Sequence, residues 1–541
     1  MKTILDLSNE MGLTSDAIEA YGSYAAKIHL DAVQSLSPNS PLVVVTAMTP
    51  TSLGEGKTTT SIGLVQGLAK IGRRPMLTLR QPSIGPVFGI KGGGTGGGKA
   101  RIIPEEKINL HFTGDAHSVA TAHNLLAALV DSAIYHKTNV AIDPSRIEWR
   151  RVTNIGDRVL RSVVTGLGPS NGPMREAGFD IDAASEIMAI LALTKGYDDL
   201  RQRLSKLVVG YTKNHEPVTA DDVNAVGPMM VLLNDAMKPN LVQTMEGQPT
   251  LVHAGPFGNI AHGCSSILAD KVALSTGDIT ITEAGFGADL GFEKFAHIKT
   301  RASGIKPQAA VIVVTIRALK WHGGVPMKEL TSPNLNALQQ GMSNMDHAIN
   351  IVRSFGIPAV VAINRFPEDT PEEITAVKHQ AIQGGAFGVE ESLGFSLGGE
   401  GTKDLAEIVM SACEQTSELR YLYPLTTSIE KKVEILATKV YGASEVVWAD
   451  SAILKAQRYE KMGWGRLPIC MAKTHSSISA NPKLLGRPTG YAFPIRDIRI
   501  AAGAGFVYPL AGNIRTLPGL PKTPNAYNMD IDIDGNICGM S

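Results

Sequence analysis

The residues with the clearest chemical meaning form a glycine-containing loop, GEGKTTT, at positions 54–60. An apolar run (PLVVVTA, 41–47) precedes the loop, and a segment with helical spacing (SIGLVQGLAKIG, 61–72) follows it directly. In a strand–loop–helix of this kind, backbone N–H groups converge on phosphate oxygens and the helix N-terminus adds its positive end. The pattern predicts that Lys57 contacts the β- and γ-phosphates of ATP and that Thr58 ligates Mg²⁺.

The whole loop is expected to contact the nucleotide. Its members are Thr51, Ser52, Leu53, Gly54, Glu55, Gly56, Lys57 and Thr58. The usual pattern of such loops has a glycine where this chain has Thr51. A plain glycine turn with a surface lysine is the alternative, and the strand–loop–helix order favours the phosphate loop over it.

A second candidate anion site follows the next apolar run, PMLTL (75–79). Arg80 ends that run, and a guanidinium there can hold a carboxylate or an acyl phosphate through two parallel hydrogen bonds. A glycine cluster follows at 92–98, and we expect Gly92 and Gly93 to close over the reacting group with backbone donors. The alternative is a flexible linker, but linkers usually mix in serine and other polar residues.

The segment NLHFTGD (109–115) places an imidazole and a carboxylate within five positions. His111 and Asp115 are therefore candidates to move a proton from an amine nucleophile. A lone histidine more often satisfies a buried hydrogen bond, and for His117, His123 and His136 we prefer that structural interpretation.

The elements that position these residues are short β-branched runs, each followed by a turn and a helical segment. Besides 41–47 and 75–79, such runs occupy 309–316 (AAVIVVTI) and 357–364 (IPAVVAIN). The alternation predicts an α/β fold: a P-loop NTPase-like, mostly parallel sheet with helices on both faces, plus smaller α+β subdomains. Ligands of such sheets collect at the carboxyl ends of the strands, where the candidate residues stand.

Four segments are predicted from changes in this pattern. Residues 1–144 would form the first part of the nucleotide-binding core, and 145–227, with its many arginines, an inserted α+β subdomain. Residues 228–460 would continue the core, and 461–541 would form a C-terminal α+β subdomain.

Composition excludes several classes of protein. Lys plus Arg equals Asp plus Glu at 51 each, so we expect neither nucleic acid nor a membrane surface as a partner. The four cysteines lie far apart with no CxxC pair, which argues against a disulfide framework or a structural zinc site. No stretch predicts a membrane span or a signal peptide, and the sequence predicts a cytoplasmic protein.

Ten long stretches carry a family resemblance. They are GEGKTTTSIGL, PSIGPVFGIKGG, INLHFTGD, GFDIDAASEIMAIL, HAGPFGNIAHGCSS, TEAGFGADLGFEKF, VVTIRALKWHGG, YPLTTSIEKKVEILATKVYGA, PICMAKT and RIAAGAGFVYPLAGNI. Together they closely resemble, in order and over nearly the whole chain, the formate–tetrahydrofolate ligase family. The resemblance implies a Mg-ATP-dependent enzyme in which formate attacks the γ-phosphate and the N10 amine of tetrahydrofolate takes the formyl group from formyl phosphate. It also implies a homotetramer that responds to K⁺ or NH₄⁺.

The resemblance implies roles for individual residues. Arg80, at the family's strand-end arginine, would hold formate and then formyl phosphate, and Asp115 would orient the folate amine or take its proton. Phe366 matches the aromatic residue that stacks on the pteridine ring. Phe395 stands where the family usually has its tryptophan partner.

The chain departs from the family's pattern at several positions. Ser52 replaces a proline, Gln81 a glutamate, Lys99 a tyrosine, Gly258 an alanine and Phe395 a tryptophan. These departures affect the expected contacts to formate, to the glycine cluster and to folate more than they affect the nucleotide loop. Weakened or shifted one-carbon chemistry is therefore expected beside intact nucleotide binding.

Two other functions fit parts of the sequence. One is a P-loop ATPase switch that controls a protein partner or metal delivery, although such proteins usually have shorter chains. The other is a divergent paralogue that binds nucleotide or folate as a regulatory module. Formate-dependent release of ADP would separate the ligase from the switch, and formation of the N10-formyl product would separate it from the paralogue.

Overall fold

The computed structural model describes residues 1–90, 93–512 and 514–540. The first strands are β1 (Ile18–Ala20), β2 (Ala26–Ile28), β3 (Leu42–Ala47), β4 (Pro75–Leu79), β5 (Gly96–Gly97), β6 (Ala100–Ile103), β7 (Arg151–Thr153), β8 (Val163–Thr165), β9 (Arg175–Ala177), β10 (Phe179–Ile181), β11 (Val208–Tyr211) and β12 (Pro217–Thr219). The later strands are β13 (Asn240–Thr244), β14 (Pro249–Val252), β15 (Ile279–Glu283), β16 (Ala309–Val314), β17 (Ala359–Asn364), β18 (Gly388–Ser392), β19 (Glu445–Trp448), β20 (Ala492–Ile495), β21 (Asp497–Ala501), β22 (Phe506–Leu510), β23 (Asp530–Ile531) and β24 (Ile537–Cys538).

Helices follow most of these strands. The first are α1 (Ile4–Glu10), α2 (Leu30–Ser35), α3 (Lys57–Lys70), α4 (Ile84–Phe88), α5 (Glu105–Asn109), α6 (Asp115–Tyr135), α7 (Glu186–Leu193), α8 (Tyr197–Ser205) and α9 (Val226–Leu233). The others are α10 (Ile267–Thr276), α11 (Thr300–Ser303), α12 (Ile316–His322), α13 (Leu335–Ser354), α14 (Pro371–Gln383), α15 (Gly394–Leu397), α16 (Lys403–Cys413), α17 (Ile429–Lys439) and α18 (Asp450–Lys461). Two π-helical turns, Ala288–Phe292 and Phe295–Lys299, follow β15.

Twelve of the described strands form one sheet, with the order β1-β2-β13-β14-β4-β15-β3-β16-β17-β18 and the β5–β6 hairpin attached to β13. The run from β14 to β18 is parallel throughout. The strands β1, β2, β6 and β13 add an antiparallel margin. The prediction of a mostly parallel α/β sheet is therefore confirmed.

Helices cover both faces of this sheet. Along β3, Val43 and Val45 pack into a core with α3, whereas Leu42 and Val44 pack into a core with α13. All six residues of β3 are buried, as expected for a central strand covered on both sides. The four predicted strands all exist, and those at 309–316 and 357–364 are trimmed to Ala309–Val314 and Ala359–Asn364.

Smaller two-stranded sheets lie in two of the predicted segments and near them. Between 145 and 227 lie the pairs β7–β10, β8–β9 and β11–β12, while β19–β20, β21–β22 and β23–β24 lie toward the C-terminus. The helix α7 nevertheless shares a core with α6, and β21 shares one with α13. The β19–β20 pair also joins residues on either side of position 460. The predicted domain boundaries stay a prediction.

No helix in the described part of the chain has both the length and the apolar character that crossing a bilayer requires. Cys264, Cys413, Cys470 and Cys538 are all free thiols.

Candidate active site

The glycine loop joins the end of β3 to the start of α3, as the sequence predicts. Gly56 caps α3 in the left-handed region at φ 70°, and a Cβ there would lie 2.3 Å from Nδ2 of Asn364. No other residue type satisfies both conditions without strain. The first N–H groups of α3 have no acceptor within the helix, so they are available to an anion.

Thr51 stabilises the start of the loop at the position where a glycine was expected. Its N–H donates to Oε1 of Glu55 at 2.7 Å, and its hydroxyl accepts from the N–H of Leu53 at 3.2 Å. The second oxygen of Glu55 accepts from the hydroxyl of Thr315. A threonine therefore supplies a side-chain hydrogen bond that glycine lacks. Ser52, Leu53 and Gly54 form the exposed tip of the loop.

Lys57 and Thr58 open α3 beside a carboxylate from the neighbouring strand. Burial lowers the pKa of the Lys57 ammonium, and the Glu283 and Glu55 carboxylates oppose that shift. The hydroxyl of Thr58 donates to Oε2 of Glu283 at 3.3 Å. A lysine, a hydroxyl and a carboxylate thus come together at the start of α3.

Arg80 directly follows β4, and only β15 separates β4 from β3. Two strand spacings put these strand ends roughly 10 Å apart. Nη1 of Arg80 donates to the carbonyl of Pro256 at 3.0 Å, while its Nε is buried without a partner among the described residues. A Cβ at Gly285 would lie 3.1 Å from Nη2. Arg80 is thus fixed in place with donor capacity left for an anion.

The glycine cluster is an ordered hairpin where it is described. Gly94 donates its N–H to Oδ1 of Asn109 at 2.9 Å, and a Cβ at Gly93 would lie 2.1 Å from the same side chain. Gly96 and Gly97 form β5 and pair with β6. Gly92 was also predicted to close over the reacting group, and it lies outside the described residues.

Phe395 lies against this hairpin. The N–H of Lys99 donates to the carbonyl of Phe395 at 2.9 Å, and a Cβ at Gly98 would lie 2.1 Å from that oxygen. The segment also packs on the phosphate-loop helix, since Gly63 approaches the Cα of Gly394 closely. Phe395 remains 60% exposed. Backbone contacts therefore hold this aromatic residue and leave its ring accessible.

Phe366 lies at the same edge of the sheet. The parallel pair β17–β18 ends with Asn364 opposite Ser392, so Phe366 and Phe395 follow adjacent strand ends. The guanidinium of Arg317 lies 4.0 Å from the centre of the Phe366 ring and pairs with Glu368 at 2.7 Å. The structure thus brings the two predicted aromatic residues to one edge, and an arginine covers part of the Phe366 ring.

Asp115 stands on the opposite side of the phosphate loop. Its carboxylate pairs with Nζ of Lys27 at 2.6 Å and accepts from Nδ2 of Asn240 at 2.6 Å. Lys27 and Asn240 belong to β2 and β13, which lie seven and six strand spacings from β17, the strand that Phe366 follows, or roughly 28–34 Å along the sheet. His111 is exposed in the turn before α6. Asp115 and Phe366 are therefore not brought together around one reacting centre.

Sequence reasoning missed several residues at this edge. Glu283 ends β15 between the two anion sites, and Lys27 neutralises Asp115 across 88 positions of sequence. His262 is fully buried beside Arg80, and neither ring nitrogen has a partner among the described residues. Burial, and then Lys299 and Arg80, lower the pKa of His262 well below its usual value. Glu283 and His262 lie in two of the stretches that carry the family resemblance, TEAGFGADLGFEKF and HAGPFGNIAHGCSS. No rule of residue spacing distinguishes these two residues from their neighbours.

Comparisons with known proteins agree with this geometry. The family model described as formate–tetrahydrofolate ligase matches residues 1–541. Curated relatives of that name include one from Roseiflexus sp. (strain RS-1), 54% identical over 552 residues that cover 100% of this chain and 98% of the relative. Another, from Desulforamulus reducens, is 51% identical and covers 100% and 97%. The chain therefore belongs to the formate–tetrahydrofolate ligase family.

Proposed function

We propose that this chain uses ATP to join formate to tetrahydrofolate, giving 10-formyltetrahydrofolate, ADP and phosphate. The observation that carries the proposal is that two candidate anion sites lie at one edge of the sheet: the glycine loop after β3 and Arg80 after β4. Their separation of roughly 10 Å suits a terminal phosphate in one site and a small carboxylate at the other. Membership of the ligase family supports the same reaction.

In the first step an oxygen of formate attacks the γ-phosphorus, the new O–P bond forms, and ADP leaves with the electrons of the broken bond. Lys57 offsets charge on the transferred group, and Arg80 orients the carboxylate. Thr58 would hold Mg²⁺, which neutralises phosphate charge when it is bound. The glycine hairpin would keep water from the formyl phosphate.

In the second step the N10 amine attacks the formyl carbon, the C–N bond forms, and phosphate leaves. We propose that Phe366 and Phe395 hold the pteridine ring by stacking, supported by their place on adjacent strand ends. Asp115 and His111 remain candidates for taking the proton of the amine. Because Asp115 lies far from Phe366, one bound folate would have to span the sheet edge to contact both residues.

Three further properties are proposed from the family resemblance. They are activation by K⁺ or NH₄⁺, a homotetramer, and the four segments 1–144, 145–227, 228–460 and 461–541 as structural units. Cytoplasmic location stays a prediction.

A coupled assay tests the proposal. We expect release of ADP to require formate, and 10-formyltetrahydrofolate to form only when tetrahydrofolate is added. Lys57→Ala and Arg80→Ala should each lower the rate of ADP release by about 10²–10³-fold, because each removes a cation from the reacting group.

The matched control is Arg73→Ala, since Arg73 is exposed at the opposite end of the strand that Arg80 follows. It should keep the wild-type rate. Equal release of ADP with and without formate would contradict the ligase and favour a nucleotide switch.

A further inference from the structure

Phe286 follows β15 in a backbone conformation that is costly for a large side chain. Its φ is 63°, in the left-handed region that glycine adopts freely and bulky residues rarely adopt. Its ring stacks on the ring of His475, with the ring centres 4.5 Å apart and the planes at 18°. Backbone strain of this kind persists where the surrounding structure fixes it, and it is frequent at functional sites. We call Phe286 and His475 the ring pair.

The ring pair lies against the Arg80 site. Gly285, the residue before Phe286, is so close to Arg80 that a Cβ there would lie 3.1 Å from Nη2. The ring itself rests on Gly258, where a Cβ would lie 2.9 Å from Cδ2 of Phe286. The carbonyl of Pro256, just before that glycine, accepts from Nη1 of Arg80 at 3.0 Å. The ring therefore bridges two chain segments that each contact the guanidinium.

Gly258 is one of the positions at which this chain departs from the family's pattern. With an alanine there, the methyl group and the Phe286 ring could not both keep their places. With glycine, the ring lies directly on the backbone, and the carbonyl of Gly258 accepts from Nζ of Lys294 at 2.8 Å. The glycine therefore gives the ring space that the usual alanine would partly fill.

A buried ion pair fixes the two rings relative to each other. Nζ of Lys473 lies 2.7 Å from Oδ2 of Asp289, and both side chains are almost fully buried. Asp289 follows Phe286 within one helical turn, and Lys473 closely precedes His475. Lys473 also donates to the carbonyl of Ser477. The ring pair is therefore a rigid wall built from two segments that are far apart in sequence.

Buried polar atoms beside this wall have no partner among the described residues. They are Nε of Arg80 and both ring nitrogens of His262. The loop of His262 reaches the guanidinium, because a Cβ at Gly285 would lie 3.1 Å from the carbonyl oxygen of Gly263 and equally close to Arg80. Buried polar atoms without a partner are rare, so a small polar ligand is expected beside them. An acid held by Arg80 meets that expectation.

We propose that Phe286, held in place by His475, limits the Arg80 site to an acid with one carbon atom. The inference rests on the proposed function, because it takes the acid at Arg80 as the group that receives the γ-phosphate. A rigid ring beside the guanidinium excludes the methyl group of acetate and accepts the hydrogen of formate. One such carbon changes the selectivity of an apolar pocket by about 10–200-fold. The opposing possibility is that the ring pair only holds the chain around His475 on the sheet.

Acetyl phosphate tests the wall through the reverse of the first step. An oxygen of the ADP β-phosphate attacks the phosphorus, the new O–P bond completes ATP, and acetate leaves with the electrons of the broken bond. Luciferase measures the ATP. We expect Phe286→Gly to form ATP from acetyl phosphate and ADP at least about 10-fold faster than the wild type, because the ring is gone.

Ligation of formate is measured in the same preparations. Phe286→Gly suits the left-handed backbone, so folding should persist, but formate is less confined and 10-formyltetrahydrofolate should form more slowly. The two rates therefore move in opposite directions. A loss of structure alone would lower both rates.

Three further variants serve as controls. Phe286→Leu keeps apolar bulk and should keep the wild-type rate with acetyl phosphate. His475→Ala removes the stacking partner, so that rate should rise by about two- to tenfold, less than in Phe286→Gly. Adding Lys57→Ala to Phe286→Gly should abolish ATP formation, because the nucleotide then lacks its loop lysine.

The possible outcomes separate this inference from the proposed function. Equal rates with acetyl phosphate in Phe286→Gly and the wild type, with ligation lowered, would overturn the inference in favour of the structural role. If Phe286→Gly does not fold, His475→Ala decides: a raised rate supports the inference and a wild-type rate overturns it. A wild type that makes no 10-formyltetrahydrofolate, together with faster ATP formation in Phe286→Gly, would overturn the proposed function and leave the acid-size limit standing.

Discussion

Two flanks of the central sheet lie on either side of the phosphate loop, and they are built in opposite ways. The sealed flank consists of Lys27, Asp115, Asn240 and His253, near the ends of β2, β13 and β14; its Lys27 and Asp115 are 0% and 1% exposed. The open flank consists of Phe366, Phe395 and Arg317, beyond β16, β17 and β18. There Phe395 is 60% exposed.

The difference separates stabilising residues from ligand-binding ones. On the sealed flank the polar groups satisfy one another, so removing one leaves its partner buried and unpaired. On the open flank a large apolar ring faces solvent, and backbone contacts to the glycine hairpin keep it there. Exposed apolar surface held by a rigid support is typical of a binding site. The following predictions test this contrast, starting with the largest effect.

The largest effect is expected from Asp115→Asn. The change leaves the Lys27 ammonium without its partner at 2.6 Å inside the protein. Loss of one member of a buried ion pair costs about 3–5 kcal/mol. We expect the free energy of unfolding, measured by urea denaturation, to fall by that amount.

The double variant Lys27→Met/Asp115→Leu is the control for this prediction. It removes both charges and replaces them with apolar groups, so stability should return close to the wild-type value. If the double variant forms the N10-formyl product at the wild-type rate, Asp115 has no part in the chemistry. If its stability is close to that of the wild type and it does not form the N10-formyl product, the proposed proton-transfer role is supported. A stability loss below about 1 kcal/mol in Asp115→Asn would show that this flank is not sealed.

The next effect concerns pH. His253 is buried. Its Nε2 donates to the carbonyl of Ala236 at 2.7 Å, and its Nδ1 contacts the hydroxyl of Ser266 at 2.7 Å, an arrangement that suits a neutral ring. Burial lowers its pKa to about 4. As the pH falls from 6.5 toward 4, His253 binds a proton in the unfolded chain but stays neutral in the folded chain, so the free energy of unfolding decreases. Between pH 7.5 and 5 this should remove about 2 kcal/mol.

Unfolding free energies at the two pH values provide the measurement. In His253→Gln the drop between pH 7.5 and 5 should be smaller than in the wild type by about 2 kcal/mol. His379→Gln is the control, because His379 is exposed on α14. An equal drop in His253→Gln and the wild type would mean that this ring is not held neutral.

On the open flank, Phe366→Ala should act on folate binding and not on folding. Loss of a stacking ring costs about 1–2 kcal/mol, which raises the KM for tetrahydrofolate by about tenfold. Arg317 keeps its ion pair with Glu368, so the local structure should persist. Phe387→Ala is the matched control, since Phe387 is a partly exposed phenylalanine at the opposite end of β18. A similar KM change in both variants would contradict a folate site at Phe366.

Much of the fold and the centre of the site could be predicted from sequence. The runs that became β3, β4, β16 and β17 are short and mostly apolar, and β3, β16 and β17 are also rich in β-branched residues; that local pattern is sufficient to identify buried strands. The phosphate loop is likewise local, because its strand, glycines and helix are contiguous. Arg80 could be placed because it directly follows a recognisable strand.

The ion pair of the sealed flank and some contacts at the centre of the site could not be predicted in the same way. Lys27 lies in a three-residue antiparallel strand with no periodic signal, and its pairing with Asp115 depends on the sheet order. Glu283 was hidden for a similar reason, since only the position of β15 between β3 and β4 brings it to Thr58. Thr51 differs from the expected glycine because a side-chain hydrogen bond, which no spacing rule anticipates, can replace it.

The smallest predicted effect is that of Phe395→Trp, and it tests whether the open flank is tuned by ring size alone. The ring edge rests on the backbone of the glycine hairpin, where a Cβ at Gly97 would lie 3.1 Å from Cε2 of Phe395. The exposed remainder of the ring has room for a larger aromatic group. An indole adds flat area for a pteridine, so we expect the KM for tetrahydrofolate to fall about two- to threefold, or about 0.5 kcal/mol. Phe395→Leu keeps apolar bulk without a flat face and should raise the KM. If tryptophan and leucine change the KM in the same direction, ring stacking at this position is not what holds folate, and the contrast between the flanks would rest on Phe366 alone.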